Sequence, residues 1–378
     1  MPLNETRFAA DALGHHLVLA AAPGLFSADR LDDGTKLLLE NLPAGQPGRI
    51  LDLGCGAGGL GLPIAKAYPE ARLLLIDRDL LAVKYAARNA SALGSGNVEC
   101  RGSLGLRDVG EGPFDWILSN IPARIGRNAI AAFAVAGAAR LAPSGEVRFV
   151  VIRDLGPVVE EVLATERLEG RLAAEGARHL VYALAPRAAT QAPDEEAIYA
   201  RDRVRFGDLE LERPTDISED PRHQREGLPL LLSCLPSKPD QRALVWRGSY
   251  GAAAITLARR GATVVAADRD LLALAFTRRN AARLGLSIEG LPAAEAGEIS
   301  DSPFGLIVAE AQPAFGESGA RDEWRSFSSL LRTGGEALVL APSRLAKAAL
   351  RAPAAEGHTL LAERGGWSVA RLRPARRR

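Results

Sequence analysis

The chain repeats itself, and the repeat limits its fold more than any other feature. Residues 77–94 read DRDLLAVKYAARNASALG and residues 268–285 read DRDLLALAFTRRNAARLG, with eleven of eighteen positions identical at a spacing of about 190 residues. Flanking matches keep the same order: Leu37 to Pro43 (LLLENLP) answers Leu230 to Pro236 (LLLSCLP), and Gly145-Glu146 answers Gly335-Glu336. A chain of 378 residues is too long for one ordinary domain and suits two, each able to bury a substantial core. The repeat makes those two domains copies of one fold.

Within each copy, short apolar runs alternate with helical patterns, which implies an α/β class with a mostly parallel sheet covered on both faces. In the first copy strands are expected over residues 49–53, 72–76, 98–101, 116–119 and 146–152, with a late strand over 179–185. The polar stretch 188–197 reads as a linker, giving domains over residues 1–187 and 198–378. The composition, 47% hydrophobic and 25% charged, is that of a globular protein in water. No signal peptide opens the sequence, and the longest apolar helix candidate, residues 129–139, is too short to span a bilayer. The expectation is a cytoplasmic protein with no membrane contact. Cys55, Cys100 and Cys234 stand apart, with no C-x-x-C spacing and no nearby histidine pair, so neither a disulfide framework nor a metal site is expected.

Chemistry enters at Leu51-Asp52-Leu53-Gly54-Cys55-Gly56-Ala57-Gly58-Gly59, an apolar strand running into a loop of glycines. Such a loop lets the backbone turn sharply and lets a ligand lie against bare main chain beside the next helix. Gly54, Gly56 and Gly59 also satisfy the G-x-G-x-x-G dinucleotide fingerprint, so a nicotinamide cofactor competes for the site. Asp52, two residues before the first glycine, gives D-x-G-x-G-x-G, a form typical of S-adenosylmethionine (SAM) methyltransferases. Asp77 ends the next apolar run, where a carboxylate can accept both ribose hydroxyls of either cofactor. Asn120-Ile121-Pro122 then closes a buried strand, as expected of amino-group methyltransferases and without a role in hydride transfer. SAM is the cofactor these features favour. Cys55, inside the loop, reads as a small packing residue, with no adjoining base to activate its thiol.

The copies diverge where this chemistry lies. Aligned on Arg49 and Arg242, Asp52 becomes Val245, Gly54 becomes Arg247, Gly56 becomes Ser249 and Ala57 becomes Tyr250. Asp268 survives at the position of Asp77, where a helix N-cap is the simpler role. Read as Ala311-Gln312-Pro313-Ala314, the second strand end lacks an amine-aligning Asn. The second copy is expected to keep the fold and lack the cofactor.

The chain resembles the tandem class I methyltransferases that modify the exocyclic amine of guanine in small-subunit ribosomal RNA. The resemblance rests on Pro23-Gly24-Leu25-Phe26-Ser27, on Leu31-Asp32-Asp33-Gly34-Thr35, on the LDLGCGAGGLGL run from Leu51, and on Asn120-Ile-Pro-Ala-Arg-Ile-Gly126. It implies two Rossmann-like domains arisen by duplication, each with a seven-stranded, mostly parallel sheet, one catalytic and the other degenerate. Three departures stand out. The intact glycine loop lies in the first half, where the family usually places it in the second. The strand-end motif N-P-P-[FY] reads Asn120-Ile121-Pro122-Ala123, so its stacking aromatic is missing. Ser103 stands where an acidic residue near the third strand commonly holds the adenine amine.

In this reading Asp52, Gly54, Cys55, Gly56, Gly58, Asp77, Arg78, Ser103 and Asn120 face the cofactor. Asn120, Ile121 and Pro122 are catalytic: the Asn120 side-chain oxygen and the Ile121 carbonyl accept the two amine hydrogens, and Pro122 fixes the turn. Phe26 replaces the missing stacking aromatic for a flipped base, and Ala123 and Arg124 lie on the substrate side. Phosphate contact is expected through local basic patches, because 47 Lys and Arg against 46 Asp and Glu leave no extended basic face. Five of those arginines are Arg371, Arg373, Arg376, Arg377 and Arg378, which read equally as a solvated terminus. Two other readings stay open: a SAM-binding assembly factor without methyl transfer, and a small-molecule or protein methyltransferase on the same fold.

Overall fold

A computed structural model describes residues 5–110, 112–188, 196–215, 221–301, 303–350 and 358–373. The chain divides into one compact unit over Glu5–Ala200 and a second from Arg201 onward.

The first unit opens with an antiparallel hairpin, β1 (Thr6–Ala12) and β2 (His15–Ala21), followed by α1 (Asp33–Glu40). Strands and helices then alternate: β3 (Arg49–Leu53), α2 (Gly61–Ala67), β4 (Arg72–Asp77), α3 (Leu80–Ala92), β5 (Val98–Gly102), β6 (Phe114–Asn120), α4 (Arg127–Ala138) and β7 (Leu141–Ile152). After α5 (Gly156–Thr165) come β8 (Gly170–Glu175) and β9 (His179–Leu184). The sheet order is β5-β4-β3-β6-β7-β9-β8, with β9 antiparallel to both its neighbours. Leu51, Ile76, Phe114, Ile117 and Phe149 are among the side chains of a core packed against the sheet. Burying each one stabilises the fold by roughly 1.5–3 kcal/mol.

The second unit repeats this plan. A hairpin of β10 (Ala200–Phe206) and β11 (Leu209–Pro214) precedes α6 (Leu228–Cys234), β12 (Arg242–Trp246), α7 (Ala252–Arg259), β13 (Thr263–Asp268) and α8 (Leu271–Arg283). There follow β14 (Glu289–Pro292), β15 (Phe304–Glu310), α9 (Gly316–Leu330), β16 (Leu331–Pro342), α10 (Ser343–Leu350), β17 (Thr359–Arg364) and β18 (Trp367–Leu372). Its sheet order, β14-β13-β12-β15-β16-β18-β17, is that of the first. Even the irregularities recur: the ladder shifts between Phe114 and Trp116 in one copy and between Phe304 and Leu306 in the other.

The repeated Arg-Asn dipeptide has a structural cause. Asn89 is buried on α3, and its amide bonds the backbone N–H and carbonyl of Ala20 and the carbonyl of Ala57, tying the hairpin to the glycine loop. Asn280 makes the same three bonds to Glu212 and Tyr250 in the second unit. A buried amide with its partners satisfied is costly to replace, so it persists in both copies.

Several expectations need correction. The hairpins and the edge strand β8 lie outside the strands expected from the sequence. The N-cap of α8 is Asp270, whose carboxylate accepts from Leu272; Asp268 accepts the Asp270 N–H at 3.0 Å and is buried. Arg371 lies within β18 opposite Leu338, and Arg373 pairs with Glu336, so neither belongs to a free tail; Arg376, Arg377 and Arg378 lie outside the described residues. Most of the 188–197 stretch also lies outside them. No helix among the described residues is long and apolar enough to cross a membrane.

Candidate active site

The site forms at the carboxyl ends of β3, β4 and β6, where open α/β sheets place their ligands. The N–H groups of Gly54 and Cys55 both donate to the Ile76 carbonyl at 2.9 Å, which turns the chain off β3. Gly54 and Gly56 then adopt φ of +79° and +54°, and a Cβ built on either would meet no atom within 4 Å. Their side-chain hydrogens therefore face open space, and the backbone lies bare. Gly58 differs, since a Cβ there would sit 2.5 Å from Leu62; it serves close packing and not the cleft. Gly56 N–H donates to Asp77 Oδ2 at 3.0 Å, and Asp79 N–H to Asp77 Oδ1 at 2.9 Å, so the carboxylate at the end of β4 is fixed against the loop.

Asp52 lies beneath this loop with 1% of its surface exposed, and no hydrogen bond of normal geometry reaches either oxygen. Burial pushes its carboxyl up to about 7; the nearby Gly61 N–H opposes that shift in part, and the Asp77 charge adds to it. Cys55 is buried too, and burial, then the charges of Asp77 and Asp52, push its thiol well above its ordinary range. That is the setting of an inert packing residue.

A cleft of about 480 Å³, including the part open to solvent, runs from Gly54, Cys55, Gly56 and Asp52 to Asn120 and Phe26. Asn120 ends β6, and its Nδ2 donates to Asp32 Oδ2 and to Thr35 Oγ1, each at 2.9 Å. Phe26 is 68% exposed on the cleft wall, a large apolar ring in water. Of the other sequence candidates, Ile121 is buried with its N–H on the Val150 carbonyl, while Pro122, Ala123 and Arg124 are exposed on the following turn. Arg78 is half-buried beside Asp77 in sequence. Ser103 is buried, and its hydroxyl donates to the Gly105 carbonyl and accepts from Asp108 N–H within its own loop. Asp32 and Thr35, by contrast, have no assigned role in the sequence pattern and are brought to Asn120 by the fold. Nothing in the sequence connected them with Asn120, 88 and 85 residues away.

In the second unit the same backbone is filled. Arg247 N–H donates to the Ala267 carbonyl at 2.9 Å, as Gly54 does to Ile76. Arg247 and Ser249 hold φ of +54° and +51°, the left-handed values of the glycines they replace. The Arg247 guanidinium bonds Glu323 at 2.7 Å and lies 5.5 Å from the centre of the Phe315 ring, and Tyr250 is fully buried. The register also corrects the strand end: Ala311 N–H bonds the Leu340 carbonyl as Ile121 N–H bonds Val150, so the counterpart of Asn120 is Glu310. Among the described residues no group of three or more His, Cys, Asp or Glu is placed to hold a metal.

Sheet order and loop position define each unit as a class I methyltransferase fold, intact in the first copy and filled in the second. Residues 16–183, within the first unit, match the family model of the methyltransferase small domain. Curated relatives match over part of their length. A ribosomal RNA small subunit methyltransferase C of Stutzerimonas stutzeri is 36% identical over 170 residues, which cover 41% of this chain and 51% of that one. The enzyme of the same name from Hahella chejuensis is 46% identical over 106 residues, covering 28% and 30%. A ribosomal RNA large subunit methyltransferase G of Streptomyces coelicolor is 41% identical over 141 residues, covering 35% and 37%. The matched stretches thus span about a third to a half of the relatives. Among solved structures, a 16S rRNA guanine N2 methyltransferase of T. thermophilus in complex with AdoMet and guanosine shares the fold over 98% of both chains, with a TM-score of 0.68 at 20% identity.

Proposed function

We propose that the protein is a SAM-dependent methyltransferase whose first unit methylates an exocyclic base amine, guanine N2, in ribosomal RNA in the cytoplasm. The observation that carries this reading is the single cleft that joins the bare backbone of Gly54 and Gly56 to the amide of Asn120. The names of the relatives, and the guanosine bound by the structural neighbour, support RNA guanine as the substrate class.

The residues present fit SAM. Gly54 and Gly56 leave the space that any side chain would fill, Asp77 stands at the strand end for the ribose, and Asp52 provides a carboxylate beneath the loop. When bound, SAM supplies a methyl group on a sulfonium centre. The chain's task is to aim the amine lone pair at that methyl and to hold the two amine hydrogens, which gain charge as the nitrogen attacks. Asn120 Oδ1 accepts one hydrogen and the Ile121 carbonyl the other, while Pro122 holds the turn. Positioning of this kind can supply several kcal/mol, and the methylated nitrogen, made acidic by its new positive charge, then gives its proton to water without a strong general base. Phe26 stacks on the flipped base in place of the aromatic missing at Ala123, and Arg124, exposed on the adjoining turn, meets phosphate.

The test is transfer of labelled methyl from SAM to RNA from cells lacking this protein, followed by nucleoside analysis. Label in N2-methylguanine supports the reading. Asn120→Ala should lower the rate about a hundredfold while SAM affinity stays level. Label confined to protein or small molecules would move the assignment to another methyltransferase class. SAM binding without transfer to any acceptor would favour a non-catalytic factor.

A further inference from the structure

An amide that is to accept a hydrogen bond from substrate must not rotate to present its NH₂ instead, and an Asn side chain has nearly equal claims to both orientations. In this protein the choice is imposed by Asp32 and Thr35. Asp32 is the N-cap of α1: its Oδ2 accepts the N–H groups of Gly34 at 2.9 Å and Thr35 at 3.2 Å. The same oxygen accepts from Asn120 Nδ2 at 2.9 Å, and the second Nδ2 hydrogen goes to Thr35 Oγ1 at 2.9 Å. A carboxylate can only accept, so the group facing it must be the NH₂. Both amide hydrogens are thereby taken, and Oδ1 is the polar atom left for the cleft that Asn120, Asp32 and Thr35 jointly line. Gly34 is part of the device, since a Cβ there would lie 2.9 Å from Asp32 Oδ2 and 3.0 Å from the His179 ring.

The duplication supplies an internal control. Aligned on the leucines of α1 and α6, Gly34 answers Gly227 and Leu37 to Leu39 answer Leu230 to Leu232, so the helix and its close approach persist in both copies. The three members of the clamp do not. Asp32 answers Arg225, Thr35 answers Leu228, and Asn120 answers Glu310. The fold stands without them, and they are absent together from the unit whose glycine loop is filled. In the second unit the chain at Arg225 is already helical, in the π-helical turn His223–Gly227 that runs on into α6, so no N-cap is called for there; the losses at Thr35 and Asn120 are the ones that capping does not explain.

We infer that Asp32 and Thr35 are positioning residues that clamp the Asn120 amide with Oδ1 turned toward the target amine. The inference rests on the methyl-transfer reading given above, and its test separates the two. Asp32→Ser keeps a competent N-cap but is too short to reach Asn120, and Thr35→Val keeps the shape and removes the acceptor. Each should lower kcat about tenfold, with KM for RNA and the Kd for SAM little changed. Asp32→Asn and Thr35→Ser, which keep an acceptor in place, should restore most of that loss. In an Asn120→Ala background neither Asp32→Ser nor Thr35→Val should slow transfer further, because the group they hold is gone.

Independent, multiplying losses in that background would overturn the inference, as would unchanged kcat in both single variants. The clamp itself is read without turnover, from the Asn120 side-chain amide protons by nuclear magnetic resonance. They should exchange slowly in the wild-type chain and fast in Asp32→Ser. Slow exchange in a wild-type chain that methylates no RNA would leave the clamp in place and defeat the functional reading alone. Fast exchange in the wild type would defeat the clamp whatever the activity.

Discussion

Arg247 donates to Glu323 at 2.7 Å at the place in the second unit where the first leaves Gly54 bare. Both side chains are only 9% exposed, and Glu323 also accepts from Trp246 Nε1 at 2.7 Å. The loop has kept its left-handed backbone at Arg247 and Ser249 although the glycines that make such φ values easy are gone. A cofactor cradle has become a plugged, ion-paired core.

Removing one member of a buried pair leaves the other charged and without compensation, at a cost of about 3–5 kcal/mol. Arg247→Ala should therefore destabilise the second unit by an amount in that range, read from urea unfolding of the full chain. Arg259→Ala, which breaks a solvent-exposed pair with Asp208, should leave stability little changed by comparison. Equal effects would mean that Arg247 carries no weight in the core.

Phe26 offers its ring to water on the cleft wall, where stacking on a base is worth about 1–3 kcal/mol. Phe26→Ala should raise KM for RNA about tenfold or more and leave SAM affinity level, and Phe26→Trp should keep KM near wild type. An unchanged KM in Phe26→Ala would remove the ring from the substrate site.

The buried Asp52 carboxyl titrates near 7 in the folded chain, against an ordinary value of 3.8. Since the folded state holds this proton more tightly, the contribution is fully stabilising below the ordinary value and is lost as pH rises through 7. Asp52→Asn cannot ionise. Its stability relative to wild type should rise between about pH 4 and pH 7 and level off above, with a gain on the order of a few kcal/mol at pH 8. Chemical denaturation of both proteins at pH 4, 6 and 8 checks this, and a pH-independent difference would contradict it. Asp268, also raised to about 7 by burial, is common to both proteins and cancels.

Much of this was legible in the sequence. The strands β3, β4, β5 and β6 lie within a residue or two of their expected bounds, because buried parallel strands are short apolar runs with abrupt ends. Strand β7 begins earlier than expected, at Leu141, where it first meets Phe114 across a ladder irregularity. The hairpin of β1 and β2 is masked in the sequence although its alternation is clean, with Phe8 and Ala10 buried opposite Leu19 and Leu17. Its turn is Leu13-Gly14, both at positive φ, and a leucine there hides the Asn-Gly or Asp-Gly signal that marks such turns. Strand β8, GRLAAE, is an edge strand without a buried face to reveal it. At the site, the glycine loop and Asn120 announce themselves through local spacing. The bond from Asn120 to Asp32 is a product of tertiary folding, which no local pattern encodes.

One copy keeps the cofactor site and the other has filled it, a difference that calorimetric titration of the full chain with SAM reads directly. One site per chain is expected, abolished by Gly54→Arg, which introduces at the open position the residue the second copy carries at Arg247, with the fold retained by circular dichroism. Two sites per chain, or wild-type affinity in Gly54→Arg, would contradict it.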